Sequence, residues 1–94
     1  MMRISVVQSS SHTVTLRLEG EVKGVWVAEL RQSCEGVLFK GTELVLDLAG
    51  VSFIDQDGIT LFHTLQERDV ILKNASYFVA ELLGVSNHDG RSNK

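Results

Sequence analysis

Proline, cysteine and long apolar runs are scarce or absent in this chain. Its 94 residues include no proline and a single cysteine, Cys34. One cysteine cannot form an internal disulfide, which favours a reducing compartment. No stretch approaches the roughly 18–20 apolar residues that cross a bilayer, and the N-terminus becomes polar too soon for a secretion signal. We therefore expect a cytoplasmic protein that does not insert into a membrane.

The chain also lacks an excess of positive charge and a metal-ligand motif. Nine basic and twelve acidic side chains give a net charge of −3, which argues against direct binding to nucleic acid. The three histidines, His12, His63 and His88, are widely spaced and form no ligand pattern. There is no phosphate-binding loop. The sequence therefore predicts neither a metal nor another cofactor.

What is present is the composition of one globular domain, 44% hydrophobic and 22% charged. Residues 4–7 form a short apolar run, and residues 13–19 alternate strictly between apolar and polar. In that second run, Val14, Leu16 and Leu18 share one face and the polar residues share the other. This period of two predicts a β-hairpin with one buried face and one wet face.

After Gly24 the period changes to that of an amphipathic helix, which we predict over about residues 25–38. The nearly continuous apolar run at 44–48 predicts a central strand covered on both faces. A second helix is expected to begin near Asp57, followed by a short strand at 70–72. Ser76 is a good N-cap for a third helix that ends at Gly84.

The predicted element order is therefore β-β-α-β-α-β-α. It indicates an α/β fold in which an N-terminal hairpin joins a mixed sheet and the helices pack on the sheet. We place one domain at residues 1–86. Residues 87–94 are mostly polar without periodicity and are predicted to form a tail.

The stretch SFIDQDGIT, residues 52–60, lies where the central strand should pass into the second helix. A carboxylate at a helix start accepts hydrogen bonds from first-turn N–H groups and suits the positive end of the helix dipole. We expect Asp57 to act in this way and Asp55 to do similar work in the turn.

The residues around this stretch resemble a known family. ELVLDLAGVSFIDQDGITLFHTLQERDVILKNASYFVAELL resembles the heart of a STAS domain, with Asp47, Val51, Ile54, Asp55 and Gly58 at matching positions. The upstream LRLEGEV also matches, so the resemblance covers roughly residues 3–84. It implies a STAS-like fold and a non-catalytic role in protein–protein contact. Such domains occur in bacterial anti-sigma factor antagonists, in stress-signalling proteins and in the tails of anion transporters.

One departure from the family bears on function. In the antagonists, the residue just before this glycine is the serine or threonine that a partner kinase phosphorylates, and here it is Asp57. The resemblance implies an anti-sigma factor, a serine kinase-like protein or another regulatory protein as partner, and a homodimer is compatible with it. The implied partner-binding and switch residues are Asp55, Gln56, Asp57, Gly58, Thr60, His63 and Thr64.

Several interpretations stay open at this point. Asp57 is either a phosphoserine mimic that fixes one signalling state or a helix cap in a domain that never used phosphorylation. Some stand-alone STAS proteins bind the ATPase subunit of a lipid transporter, and such a role needs no phosphorylatable residue. A small enzyme using Asp55 or Asp57 is the remaining alternative. It predicts turnover that disappears in Asp57→Asn without loss of folding.

Overall fold

The computed structural model describes residues 2–84, which form a four-stranded sheet and three helices. The element order is the predicted one, and the first helix has the predicted bounds. The elements are β1 (Met2–Ser9), β2 (Thr13–Val22), α1 (Val25–Leu38), β3 (Glu43–Ile54), α2 (Gln56–Glu67), β4 (Ile71–Lys73) and α3 (Tyr77–Leu83).

The sheet is mixed, as predicted, with strand order β1-β2-β3-β4. The hairpin β1–β2 is antiparallel, while β2–β3 and β3–β4 are parallel and are joined through α1 and α2. Because the carboxyl ends of β2 and β3 lie side by side, the chain starts α1 and α2 at the same edge of the sheet.

The core lies between one face of the sheet and the helices. Every second residue of the central strands points into it, including Leu16 and Leu18 on β2 and Leu46 on β3. The helices contribute buried side chains to the same cluster: Val27, Leu30, Cys34, Leu61, Phe62, Leu65, Val79 and Leu83. Trp26 is half-buried at the edge of this core.

Two expectations about the sheet were wrong. Thr15, expected on a wet face, is only 5% exposed because β2 is an interior strand and its neighbours Gln8 and Val45 flank it. We also expected β3 to be covered on both faces. On the face opposite the core, Arg17 pairs with Asp47 of β3 and Ile71 pairs with Val45 of β3. Both Arg17 and Ile71 are about half exposed, so the helices cover one face only.

The remaining differences concern element ends. β3 runs to Ile54 rather than stopping at 48, and irregular pairing at two points lets its second half continue beside β2. β4 is shifted by one residue, to Ile71–Lys73. The third helix is as predicted, with the Ser76 hydroxyl accepting from the Val79 N–H at 3.1 Å and Gly84 closing it in the left-handed conformation. The predicted tail lies outside the described residues.

Candidate docking surface at the start of the second helix

Asp55 joins the starts of the two longer helices. Its Oδ1 accepts a hydrogen bond from the Gly58 N–H at 2.8 Å, which caps α2. Its Oδ2 accepts from the Gly24 N–H at 3.0 Å, the residue that precedes α1. In turn, the Asp55 N–H donates to the carbonyl of Val22, the last residue of β2. One side chain therefore fixes the β2–α1 turn against the β3–α2 turn.

These bonds keep Asp55 ionised. The N–H of Gly58, then that of Gly24, hold the pKa of the carboxyl below its usual value, since both donate to the charged form. Asp55 is therefore an anion whose two oxygens are engaged by backbone donors. It has neither the raised pKa nor the free oxygen that a general acid at neutral pH needs.

Gly58 allows the close approach of α2 to the end of β2. A Cβ added at this position would lie 2.6 Å from Cγ2 of Ile54 and 3.0 Å from the carbonyl oxygen of Val22. No side chain fits such a gap without movement of a packed core residue or of backbone. The glycine that matches the STAS pattern is therefore required by packing in this chain.

Asp57 does not cap the helix. We expected that role, but the N-cap is Asp55 and Asp57 lies within the first turn, where its charge still suits the helix dipole. The helix begins at Gln56, one residue earlier than expected, because the cap residue is Asp55. Asp57 is exposed, and its carboxylate is available to a partner.

A groove runs between α1 and α2 beside Asp57. We call it the α1–α2 groove, and its lining residues are Gly24, Val27, Ala28, Arg31, Gln32, Glu35, Asp57 and Thr60. The lining is mostly apolar with charged groups on the rim. Asp55 closes one end, and the 2.6 Å ion pair between Arg68 and Glu35 joins the helices at the other. The two helices are therefore linked near both ends of the groove.

The predicted site residues divide between two sides of α2. Asp57 and Thr60 line the groove, and Thr64 lies one helical turn beyond Thr60 on the same exposed side. His63 points the other way, toward α3, where its Nε2–H donates to the carbonyl oxygen of Leu83 at 2.7 Å. This bond replaces the pair with Glu67 that helical spacing would suggest. Gln56 is exposed at the first position of the helix.

The α1 half of the groove was not predicted. Nothing in a single sequence showed that Ala28, Arg31 and Gln32 would face Asp57, since the turn stretch resembling the family points only to α2. Part of this arrangement could have been predicted, because the helices that follow two adjacent parallel strands begin at the same edge of the sheet.

Asp47, another residue that matches the family pattern, makes its contacts within the sheet and does not line the groove. It is 6% exposed on the face opposite the core. Its Oδ1 accepts from the Ala49 N–H at 3.0 Å, and its Oδ2 lies 3.8 Å from Nε of Arg17. The Ala49 N–H is the main cause that lowers the pKa of Asp47, with Asn74 and the cations Arg17 and Lys73 adding to it.

Residues 2–84 contain neither a metal-binding cluster nor a membrane-spanning helix. Within that range, no three His, Cys, Asp or Glu side chains come together in a way that could hold a metal ion. None of the three helices has the length and apolar character to span a bilayer.

Comparison with known proteins identifies the class. The family model described as "Mlab, STAS domain" matches residues 5–90, which is most of the chain. No curated protein is similar enough to count as a match. The chain is a member of the STAS domain family.

Solved structures share the fold. The anti-sigma factor antagonist SpoIIAA in its unphosphorylated form superposes with a TM-score of 0.68 at 23% identity, covering 87% of this chain and 82% of that one. An anti-sigma factor antagonist from Mycobacterium paratuberculosis gives 0.71 at 20% identity, with 90% and 80% covered. A STAS-domain antagonist from Rhodobacter sphaeroides gives 0.62 at 15% identity, with 81% and 92% covered.

Proposed function

We propose that this STAS domain is a non-catalytic cytoplasmic regulator that docks a partner protein on the α1–α2 groove and the adjoining start of α2. The partner is an anti-sigma factor, a serine kinase-like protein or another regulatory protein of a partner-switching pathway. The single observation that carries the proposal is the position of Asp57. Its carboxylate is exposed on the rim of the groove while Asp55 does the capping, so its charge is free for recognition.

Asp57 gives this surface a fixed charge where relatives have a reversible one. The antagonists carry a phosphorylatable hydroxyl just before the matching glycine, and Asp57 has none for a kinase to modify. An aspartate supplies one negative charge and two oxygens, whereas phosphoserine supplies about −1.5 to −2 and three oxygens. The domain then stays in a state like the phosphorylated one, with weakened docking on a kinase-type partner.

The chemistry of the two carboxylates supports binding over catalysis. Asp55 is ionised and engaged by the N–H groups of Gly58 and Gly24. Asp57 is exposed to solvent rather than enclosed beside a second acid, as a catalytic carboxylate pair would be. Arg31 on the facing helix adds a positive group to the same groove. A surface with charges of both signs around an apolar floor is typical of protein docking sites.

The test compares three baits in lysate of the source organism, with captured proteins identified by mass spectrometry. They are the wild type, Asp57→Ser, and the matched control Asp69→Asn. Asp69 is an exposed aspartate at the far end of α2, and asparagine tolerates its left-handed backbone, with φ of 66°. The control therefore also removes one negative charge, but at a site outside the groove.

We expect a kinase-like anti-sigma protein that Asp57→Ser holds more tightly than the other two baits, and that phosphorylates only the Asp57→Ser variant. Equal capture of such a protein by all three baits would refute a signalling role for Asp57. Recovery of a transporter ATPase with all three would instead support the lipid-transport alternative, in which Asp57 has no switching role.

A further inference from the structure

The outer edge of the sheet is open at β1. Strand order β1-β2-β3-β4 leaves β1 paired on one side only among the described residues. Every second residue of an edge strand directs its N–H and carbonyl away from the sheet. The opposite edge, β4, has three residues, whereas β1 has eight. Only β1 is long enough to add another strand.

Devices that normally block strand addition are weak on this edge. The chain has no proline, and β1 carries one charged side chain, Arg3. The helices leave the Val6 end of the edge uncovered: Val6, which pairs with the buried Leu16 on the helix-facing side, is 63% exposed, whereas Met2 at the other end is 7% exposed. An irregularity at Val7 interrupts the pairing with β2, so the regular part is Met2–Val6.

We infer that β1 pairs with the β1 of a second copy of this chain, antiparallel and centred on Ile4, to form a continuous eight-stranded sheet. A two-fold axis through Ile4 uses only the regular segment. It places Met2 opposite Val6 of the other copy and Arg3 opposite its Ser5, so no like charges face each other.

The faces of the sheet restrict the register. Met2, Ile4 and Val6 pair with positions 20, 18 and 16 of β2, so all three lie on the helix-facing side. Directly opposite residues in an antiparallel pair share a face. In this register the exposed Val6 gains apolar neighbours from the other copy and both helix layers stay on one side. The self-complementary pattern favours a second copy over an unrelated strand.

The first test uses disulfide cross-linking between Arg3→Cys and Ser5→Cys, two separate variants. Opposite residues in the proposed pair have Cα atoms about 4.5–5.5 Å apart, within the range of a disulfide. Two copies of the same position are about 8 Å apart, which is beyond it. The native Cys34 is 0% exposed and adds no background.

Mild oxidation of the mixed variants is expected to give the mixed disulfide dimer, and neither variant alone should cross-link appreciably. Self-linked dimers at the same rate as the mixed one, or no mixed dimer, would overturn the proposal.

Sedimentation equilibrium of the unmodified chain supplies a second measurement. Val6→Lys, which puts a charge on the edge, should raise the dimer dissociation constant at least about tenfold. The control Val25→Lys, at a 75% exposed site on α1, should leave it unchanged. A wild-type chain that stays monomeric at high micromolar concentration, or equal effects of the two lysines, would also refute the pairing. Both measurements use this chain alone, so their outcome does not depend on whether the proposed docking function is correct.

Discussion

Replacing Gly58 with alanine is expected to destabilise the domain, although alanine is the better helix former. The new Cβ would lie 2.6 Å from Cγ2 of Ile54, which is 1% exposed, and 3.0 Å from the Val22 carbonyl oxygen. That carbonyl accepts from the Asp55 N–H at 3.0 Å, so it cannot move away without loosening the joint between the two helix starts.

The magnitude follows from two opposed effects. Overpacking a core position costs about 1–3 kcal/mol, and the upper end applies because one of the two close contacts is backbone. Alanine in place of glycine within a helix stabilises by about 1 kcal/mol. The net loss in the free energy of unfolding is roughly 2 kcal/mol, or a melting temperature lower by roughly 8–16 °C for a domain of this size.

The measurement is urea unfolding followed by the fluorescence of Trp26, the only tryptophan. Gly36→Ala is the matched control, since Gly36 lies within α1 and a Cβ there would meet nothing within 4 Å. The control should gain about 1 kcal/mol. If Gly58→Ala is as stable as the wild type, or rises with the control, the close-approach argument fails.

Three further predictions concern charge and the thiol. The lowered pKa values of Asp47 and Asp55 stabilise the fold above the unfolded-state pKa of about 3.9, so stability should fall as pH drops below about 4. Urea midpoints between pH 2.5 and 7 would show this fall, and Asp47→Asn should flatten it. Burial, and then the charge of Glu35, raise the pKa of Cys34 to about 12, so Ellman's reagent at pH 8 should label it only in denaturant; rapid labelling of native protein would contradict its burial. Arg68→Ala removes an exposed ion pair with Glu35 and should cost under about 1 kcal/mol, and less in high salt; a larger loss that is insensitive to salt would mean that Arg68 acts through packing.

Much of the fold was predictable because periodicity and end signals agreed. The strict alternation at 13–19 and the three-to-four spacing after Gly24 gave β2 and α1, and Ser76 with Gly84 gave both ends of α3. The covered face of β3 followed from its apolar run. That only one face would be covered did not follow, because it depends on where all three helices pack.

The candidate site was predictable only in its α2 half. Asp55 and Asp57 are two residues apart and chemically alike, and sequence could not tell which would cap the helix. The choice depends on the backbone: Asp55 is extended, with φ of −83° and ψ of 179°, as an N-cap residue is, whereas Asp57 is already helical. Likewise, the bond from His63 to Leu83 joins residues 20 positions apart and needs α3 in place.

The parallel pairing of β2 with β3 determines when the proposed docking surface forms. Thr13 pairs with Glu43, thirty positions later, so a long loop must close before this pairing forms. One wall of the α1–α2 groove follows β2 and the other follows β3. A nascent or partly folded chain therefore shows a partner neither the groove nor a correctly placed Asp57. A partner that docks as proposed binds only the assembled groove, so its binding would draw chains toward the native state by mass action.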